Sequence, residues 1–124
     1  NLNQETHEWL KEEFAAVPLR FFEQIKRCIN AGHLVSVQGF KELPDDFTKV
    51  APKTDARFAF FAGENNLCFL PQSQVNTYAY FSALRDNYHS LHILPDYGHL
   101  DVFMGKNAAQ DTFPLRIQEL ENKR

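Results

Sequence analysis

A chain of 124 residues is one domain or part of one, because domains commonly run about 100–200 residues. Its 44% hydrophobic and 23% charged residues are ordinary globular usage, with twelve Phe promising a large apolar surface for so short a chain. A net charge of −3 leaves no basic footprint for nucleic acid, and no apolar run approaches the ~18 residues of a membrane span.

Two cysteines, Cys28 and Cys68, make neither a disulfide framework nor a paired metal motif. They read as reduced thiols, which is compatible with a cytoplasmic protein. No cofactor and no metal is expected.

In chain order, residues 4–16 have helical character. Trp9, Leu10 and Phe14 fall on one side, with Lys11, Glu12 and Glu13 largely opposite. Pro18 disfavours helix at Val17 but can itself open the next helix at its first position. That helix is predicted to reach about Ala31, with Leu19, Phe22, Ile25 and Ile29 as its apolar stripe and Gly32 as its left-handed terminator. On the residues alone the two helices read somewhat better as an amphipathic hairpin than as part of a cap over a pocket. His33 to Gln38 has some β character, and Lys41 to Asp55, with Pro44, Asp45, Asp46 and Pro52, reads as a connecting loop. A boundary is placed there, giving a helical cap-like region with its loop, 1–55, and a β–α–β–α unit, 56–124.

In the second region Phe58 to Ala62 is a continuous apolar run, as in a parallel strand buried on both faces. Pro71 starts a helix to about Asn87, and Ser90 to Leu94 is a second strand. The result is a β–α–β unit of right-handed connection. Asn107-Ala108-Ala109-Gln110 has the form of a helix start in which Gln110 reaches back. The last helix should run to about Asn122 with Ala109, Phe113, Ile117 and Leu120 on one side, its first turns bent by Pro114. Glu119, Glu121, Lys123 and Arg124 read as a solvated helix end. The rings of Phe60, Phe61, Tyr78, Tyr80 and Phe81 are expected in the core, a lipid-facing role being the alternative. The fold class is therefore α/β.

Past the second strand come Pro95, Asp96, Tyr97 and Gly98, then His99. Groups that do chemistry in open α/β sheets sit in that place, outside the carboxyl ends of the strands. The plainer alternative is a histidine that caps a turn. His89, His92, His99 and Asp101 could be imagined as metal ligands. Yet His89 and His92 are spaced to point to opposite faces, so no metal site is expected. Asp101 is expected to anchor the turn by bonding backbone groups.

Tyr97-Gly98-His99-Leu100-Asp101 with Met104-Gly105-Lys106-Asn107-Ala108-Ala109 resembles the histidine segment of α/β hydrolases of the acid-lipase and cholesteryl-ester-hydrolase type. Phe58 to Asn66, followed by Phe69-Leu70-Pro71, resembles the strand and loop that present the acid of the same triad. The resemblance covers the second half of the chain. In the first half it extends only to Val17-Pro18-Leu19 and Ala31-Gly32-His33-Leu34-Val35. Similar segments are fused behind flavin-dependent oxidoreductases resembling cholesterol oxidases, of the GMC type.

The resemblance implies a partial α/β-hydrolase fold, the last two parallel strands with flanking helices. It implies that His99 takes the serine proton in a parent hydrolase of lipid or sterol esters. In the triad a buried carboxylate fixes the histidine tautomer and stabilises the imidazolium. At the acid position, in the pattern Gly-x-x-Asp, this chain has Asn66. Glu64 is close by, but the family pattern does not assign it. Replacing the triad Asp by Asn in a serine protease lowers turnover by about four orders of magnitude.

A complete hydrolase also needs Gly-x-Ser-x-Gly before the acid and the histidine. The nearest candidate, Val35-Ser36-Val37-Gln38-Gly39, lacks the first glycine, and the oxyanion-hole glycines are absent. The expected function is therefore the carboxyl-terminal segment of a serine-type ester hydrolase, inactive alone and completed by the amino-terminal part of its parent. The competing class is a non-catalytic docking module. Two parallel strands leave both sheet edges unpaired, which predicts self-association or packing on a partner.

Overall fold

The computed structural model describes residues 2–13, 15–37 and 40–122. The chain divides into two compact units, one of Asn1–Glu13 with Ala56–Arg124 and the other of Phe14–Asp55. Residues 1–13, grouped above with the cap-like region, thus fall in the unit that holds the strands. No helix among the described residues is long and apolar enough to cross a membrane.

The first helix, α1, spans Gln4–Leu10 and is capped by Asn3, whose side chain accepts from the Thr6 N–H at 2.8 Å. It stops well short of residue 16. The N–H groups of Lys11, Glu12 and Glu13 bond three residues back, so the last turn tightens and ends. Glu12 and Glu13 place negative charge at the negative end of the helix dipole, which favours that ending. Phe14, expected on its apolar side, lies outside the described residues.

In the other unit α2 spans Leu19–Ala31, one residue later than predicted, with Pro18 as its cap in an extended conformation. Gly32 ends it at φ 73, the left-handed geometry that its lack of a Cβ permits. Of the predicted stripe only Ile25 is half-buried, beside Gln24 and Cys28, whereas Leu19, Phe22 and Ile29 are exposed. The physical reason is polar. Gln24 Nε2 donates to the Val35 carbonyl at 2.6 Å and turns that side of the helix toward the following loop. Among the described residues the short β stretch forms a single isolated antiparallel bridge, Val35 with Asp46. Gln38 and Gly39 lie outside the described residues, so the Val35–Gly39 stretch is described only in part. Hydrogen bonds from the hydroxyl and N–H of Thr48 lead in pulling the Asp46 carboxyl down to about 2.

The first unit is built on two parallel strands, β1 (Ala59–Gly63) and β2 (Ser90–Leu94), in the register Ala59 to Ser90 through Gly63 to Leu94. Helix α3 (Pro71–Leu84) connects them, with Pro71 in its first turn, where a missing N–H costs nothing. It ends three residues before Asn87, because Arg85 turns to an extended conformation. Beyond β2 follow α4 (Asp101–Met104), α5 (Ala108–Asp111) and α6 (Phe113–Glu121). The fold is thus mixed α/β, a small two-stranded parallel sheet flanked by helices.

Side chains alternate across the sheet as strand geometry requires. Phe58 and Phe60 pack their rings on Phe81 of α3 at 4.5 and 5.8 Å between centroids. Phe61 instead joins Leu94, Tyr97, Val102 and Leu115 in the buried cluster. The strands are not buried on both faces throughout. Ala62, Gly63 and Leu94 are buried, the first residues of each strand are half-buried, and Ile93 is exposed.

The carboxyl-terminal helix departs most from expectation. It is two helices broken at Thr112, and Asn107 makes no side-chain cap, so the predicted reach of Gln110 does not form. Pro114 has no N–H to continue the ladder from α5. Thr112, 0% exposed, donates its hydroxyl at the break, where the carbonyls of Val102 and Ala108 lie 2.9 and 3.1 Å away. The inward side of α6 carries Leu115, Arg116 and Glu119, while the predicted side, Phe113, Ile117 and Leu120, faces out, Leu120 being 86% exposed. Glu119 is therefore no solvated end. It pairs with Arg57 and accepts from His92 Nε2 at 2.6 Å, all three side chains being largely buried. Lys123 and Arg124 lie outside the described residues.

Candidate functional site

The two loops that leave the carboxyl ends of β1 and β2 are joined backbone to backbone. The Glu64 N–H donates to the Leu94 carbonyl at 2.9 Å, and the Asn65 N–H to the Tyr97 carbonyl at 2.8 Å. Gly63 lies under this seam. A Cβ there would run into the carbonyls of Tyr97 and Gly98, so the close approach itself requires glycine. Asp96, at φ 63, and the side chain of Asp101, which accepts from the Gly98 N–H at 2.6 Å, shape the second loop. Asp101 thus anchors the turn that carries His99.

That seam brings Asn66 and His99 together. Asn66 is 8% exposed, and its Oδ1 accepts the N–H groups of Cys68 at 3.0 Å and Phe69 at 2.9 Å. Its Nδ2 lies 3.2 Å from Nδ1 of His99. Flipping the amide would put the NH2 group against two N–H donors, so the network itself decides which end faces the ring. The Phe69 ring lies 5.2 Å from the imidazole, and His99 is otherwise exposed.

Behind the second loop, the buried hydroxyl of Tyr97 donates to Asp111 Oδ2 at 2.8 Å. Burial first, and the Asp111 carboxylate second, push the phenol up to about 12, so Tyr97 is a structural donor. A groove of about 660 Å³ runs beside β2, with His92, Tyr97, Asn107 and Asp111 among its walls; Asn66 and His99 do not line it.

The remaining histidines do not converge. His89 Nδ1 accepts from the Phe58 N–H at 3.1 Å on the α3 side of the sheet, and burial lowers its pKa. His92 stacks on Phe61 on the other side, its centroid 4.6 Å away, and bonds Glu119. No group of three or more His, Cys, Asp or Glu side chains suited to a metal gathers among the described residues.

The Arg57–Glu119–His92 cluster has no clear sequence signal. His92 alternates with Ile93 as strand periodicity requires, but nothing in the pattern ties it to a residue 27 positions away. Gly63, by contrast, carries a signal: a glycine ending an apolar strand marks close backbone approach. Compared with protein-family models, with curated proteins and with solved structures, the chain matches none.

Proposed function

We propose that the chain is the carboxyl-terminal segment of a hydrolase-like α/β protein of the acid-lipase type, with His99 and Asn66 at the histidine and acid positions. The observation that carries this reading is the contact between the two side chains across neighbouring loops beyond a pair of parallel strands. A triad needs its histidine and acid brought together in that way. In this reading the serine comes from the parent's amino-terminal part, and the substrate is a lipid or sterol ester.

A second reading, a docking module that keeps the architecture without the reaction, is favoured by the chemistry at residue 66. A neutral amide does not stabilise an imidazolium as a carboxylate does, and its oxygen is already committed to two backbone N–H groups. In that reading the partner, or a second copy, pairs with a strand edge left open among the described residues, as at β2 beside Ile93. An appended position behind a cholesterol-oxidase-like flavoenzyme is one setting for such a module.

The test is an esterase assay of this chain and of His99→Ala with p-nitrophenyl butyrate. Both are expected at the buffer rate, and turnover that His99→Ala abolishes would overturn the segment reading. A Gly-x-Ser-x-Gly upstream of Asn1 in the parent frame supports the hydrolase, and its absence favours the docking module.

A further inference from the structure

We infer that Asn66 holds His99 in the tautomer whose proton is on Nε2, so that the ring offers a hydrogen-bond donor where a triad histidine offers a base. The inference uses the geometry of the pair alone and stands or falls apart from the hydrolase reading.

The direction of each bond follows from what each atom can do. An amide oxygen only accepts and an amide nitrogen only donates. Oδ1 of Asn66 is held by the N–H groups of Cys68 and Phe69, so Nδ2 is the end that faces the ring at 3.2 Å. A donor at that distance requires a lone pair on Nδ1. A neutral imidazole with its lone pair on Nδ1 carries its proton on Nε2. Asn66 cannot easily turn to offer the other end, since it is buried and its own N–H is tied to the Gly63 carbonyl at 3.1 Å.

In a triad the order is the reverse. The carboxylate accepts from Nδ1–H, and the lone pair left on Nε2 takes the proton of the nucleophile. Here every bond runs outward: backbone N–H to Oδ1, Nδ2–H to Nδ1, and Nε2–H to whatever meets the exposed ring. A group that meets it must bring an acceptor, such as a carbonyl or carboxylate oxygen. Asn66 is thus a positioning residue, and the polarity of the site is set by one atom of its side chain. A carboxylate at position 66 keeps both backbone N–H groups on one oxygen and accepts from Nδ1–H with the other. Asn66→Asp should therefore move the proton and free Nε2.

The experiment is long-range 1H–15N NMR on the 124-residue chain labelled at histidine and asparagine, at a pH where the ring is neutral. Expected for His99 is a protonated Nε2 with a bare Nδ1, a coupling across the hydrogen bond to Asn66 Nδ2, and transfer of the proton to Nδ1 in Asn66→Asp. A wild-type ring protonated on Nδ1 overturns the inference, as does a folded Asn66→Asp whose ring matches wild type. Should Asn66→Asp fail to fold, the wild-type coupling decides, its presence supporting the inference and its absence sinking it. Esterase activity plays no part in either outcome.

Discussion

The β1–α3–β2 stretch and the α5–α6 arm belong to the same unit, yet they obey different rules of burial. In the first, apolar residues turn inward: Phe58 and Phe60 meet Phe81 on one side, and Phe61 joins Leu94 and Tyr97 on the other. In the second, polar groups do much of the inward packing, through Thr112, Arg116 and Glu119, while Phe113, Ile117 and Leu120 look out. Arg116 donates to the Val102 carbonyl at 2.7 Å and lies over the Phe103 ring at 3.8 Å. Periodicity reports which residues are apolar. It does not report which side of a helix is held inward once ion pairs and a hydroxyl do the holding.

The seam at the carboxyl ends of the strands is where a single substitution should cost most. Gly63→Val places a branched side chain against the carbonyls of Tyr97 and Gly98, which are backbone and cannot swing aside. Overpacking of a tight site costs about 1–3 kcal/mol and occasionally more, and here the seam joining the two loops must part. Loss of a cooperative urea transition and of amide dispersion is expected. The same seam joins Asn66 to His99, so a folded Gly63→Val would be expected to lose that contact.

Next comes Glu119→Gln on the arm. Burial alone would raise the Glu119 carboxyl, but hydrogen bonds from His92, Ser90 and Arg57 outweigh it and hold the group at about 2, below its ordinary 4.5. Removing the charge strands the Arg57 guanidinium, and breaking a largely buried pair costs about 3 kcal/mol. The sign with pH follows from the lowered pKa. The contribution is whole above pH 4.5 and is lost as pH falls toward about 2. Urea midpoints measured down that range should fall for wild type more steeply than for Glu119→Gln.

The sequence showed the β–α–β part because its local signals agree with its packing. Pro71 opens a helix, Ser90–Leu94 is a short apolar strand, and Gly32, in the other unit, ends a helix. His99 was legible as a residue set just past the end of a strand, whereas Asn66 entered only through the resemblance, at the acid position; that the two meet is a finding of the structure. What could not be read is the orientation of the Asn66 amide, which depends on two backbone N–H groups later in the same turn. The Arg57–Glu119–His92 cluster is equally hidden, because it spans the unit from before β1 to the end of α6. On α2 the Gln24 bond to Val35 sets the inward side and leaves much of the apolar stripe out.

Thr112→Val sharpens the contrast more gently. The valine keeps the volume of the fully buried threonine but loses its hydroxyl. Both carbonyls keep another donor, since Arg116 Nη2 reaches that of Val102 and the Thr112 N–H that of Ala108. No acceptor is stranded, so the loss should be about 1 kcal/mol by chemical unfolding.

The smallest effect is the sharpest test of the arm. Leu120→Glu exchanges one exposed side chain for another and should change stability by no more than about 0.5 kcal/mol. Leu115→Ala, by contrast, removes packing from the Phe61 and Tyr97 cluster and should cost about 2 kcal/mol, the low end for a half-buried leucine. The apolar pattern alone predicts that both are costly, so the pair of unfolding curves separates the two accounts. A Leu120→Glu loss as large as that of Leu115→Ala would mean that Phe113, Ile117 and Leu120 are covered in solution. Light scattering over a concentration series would then show whether the cover is a second copy of the chain.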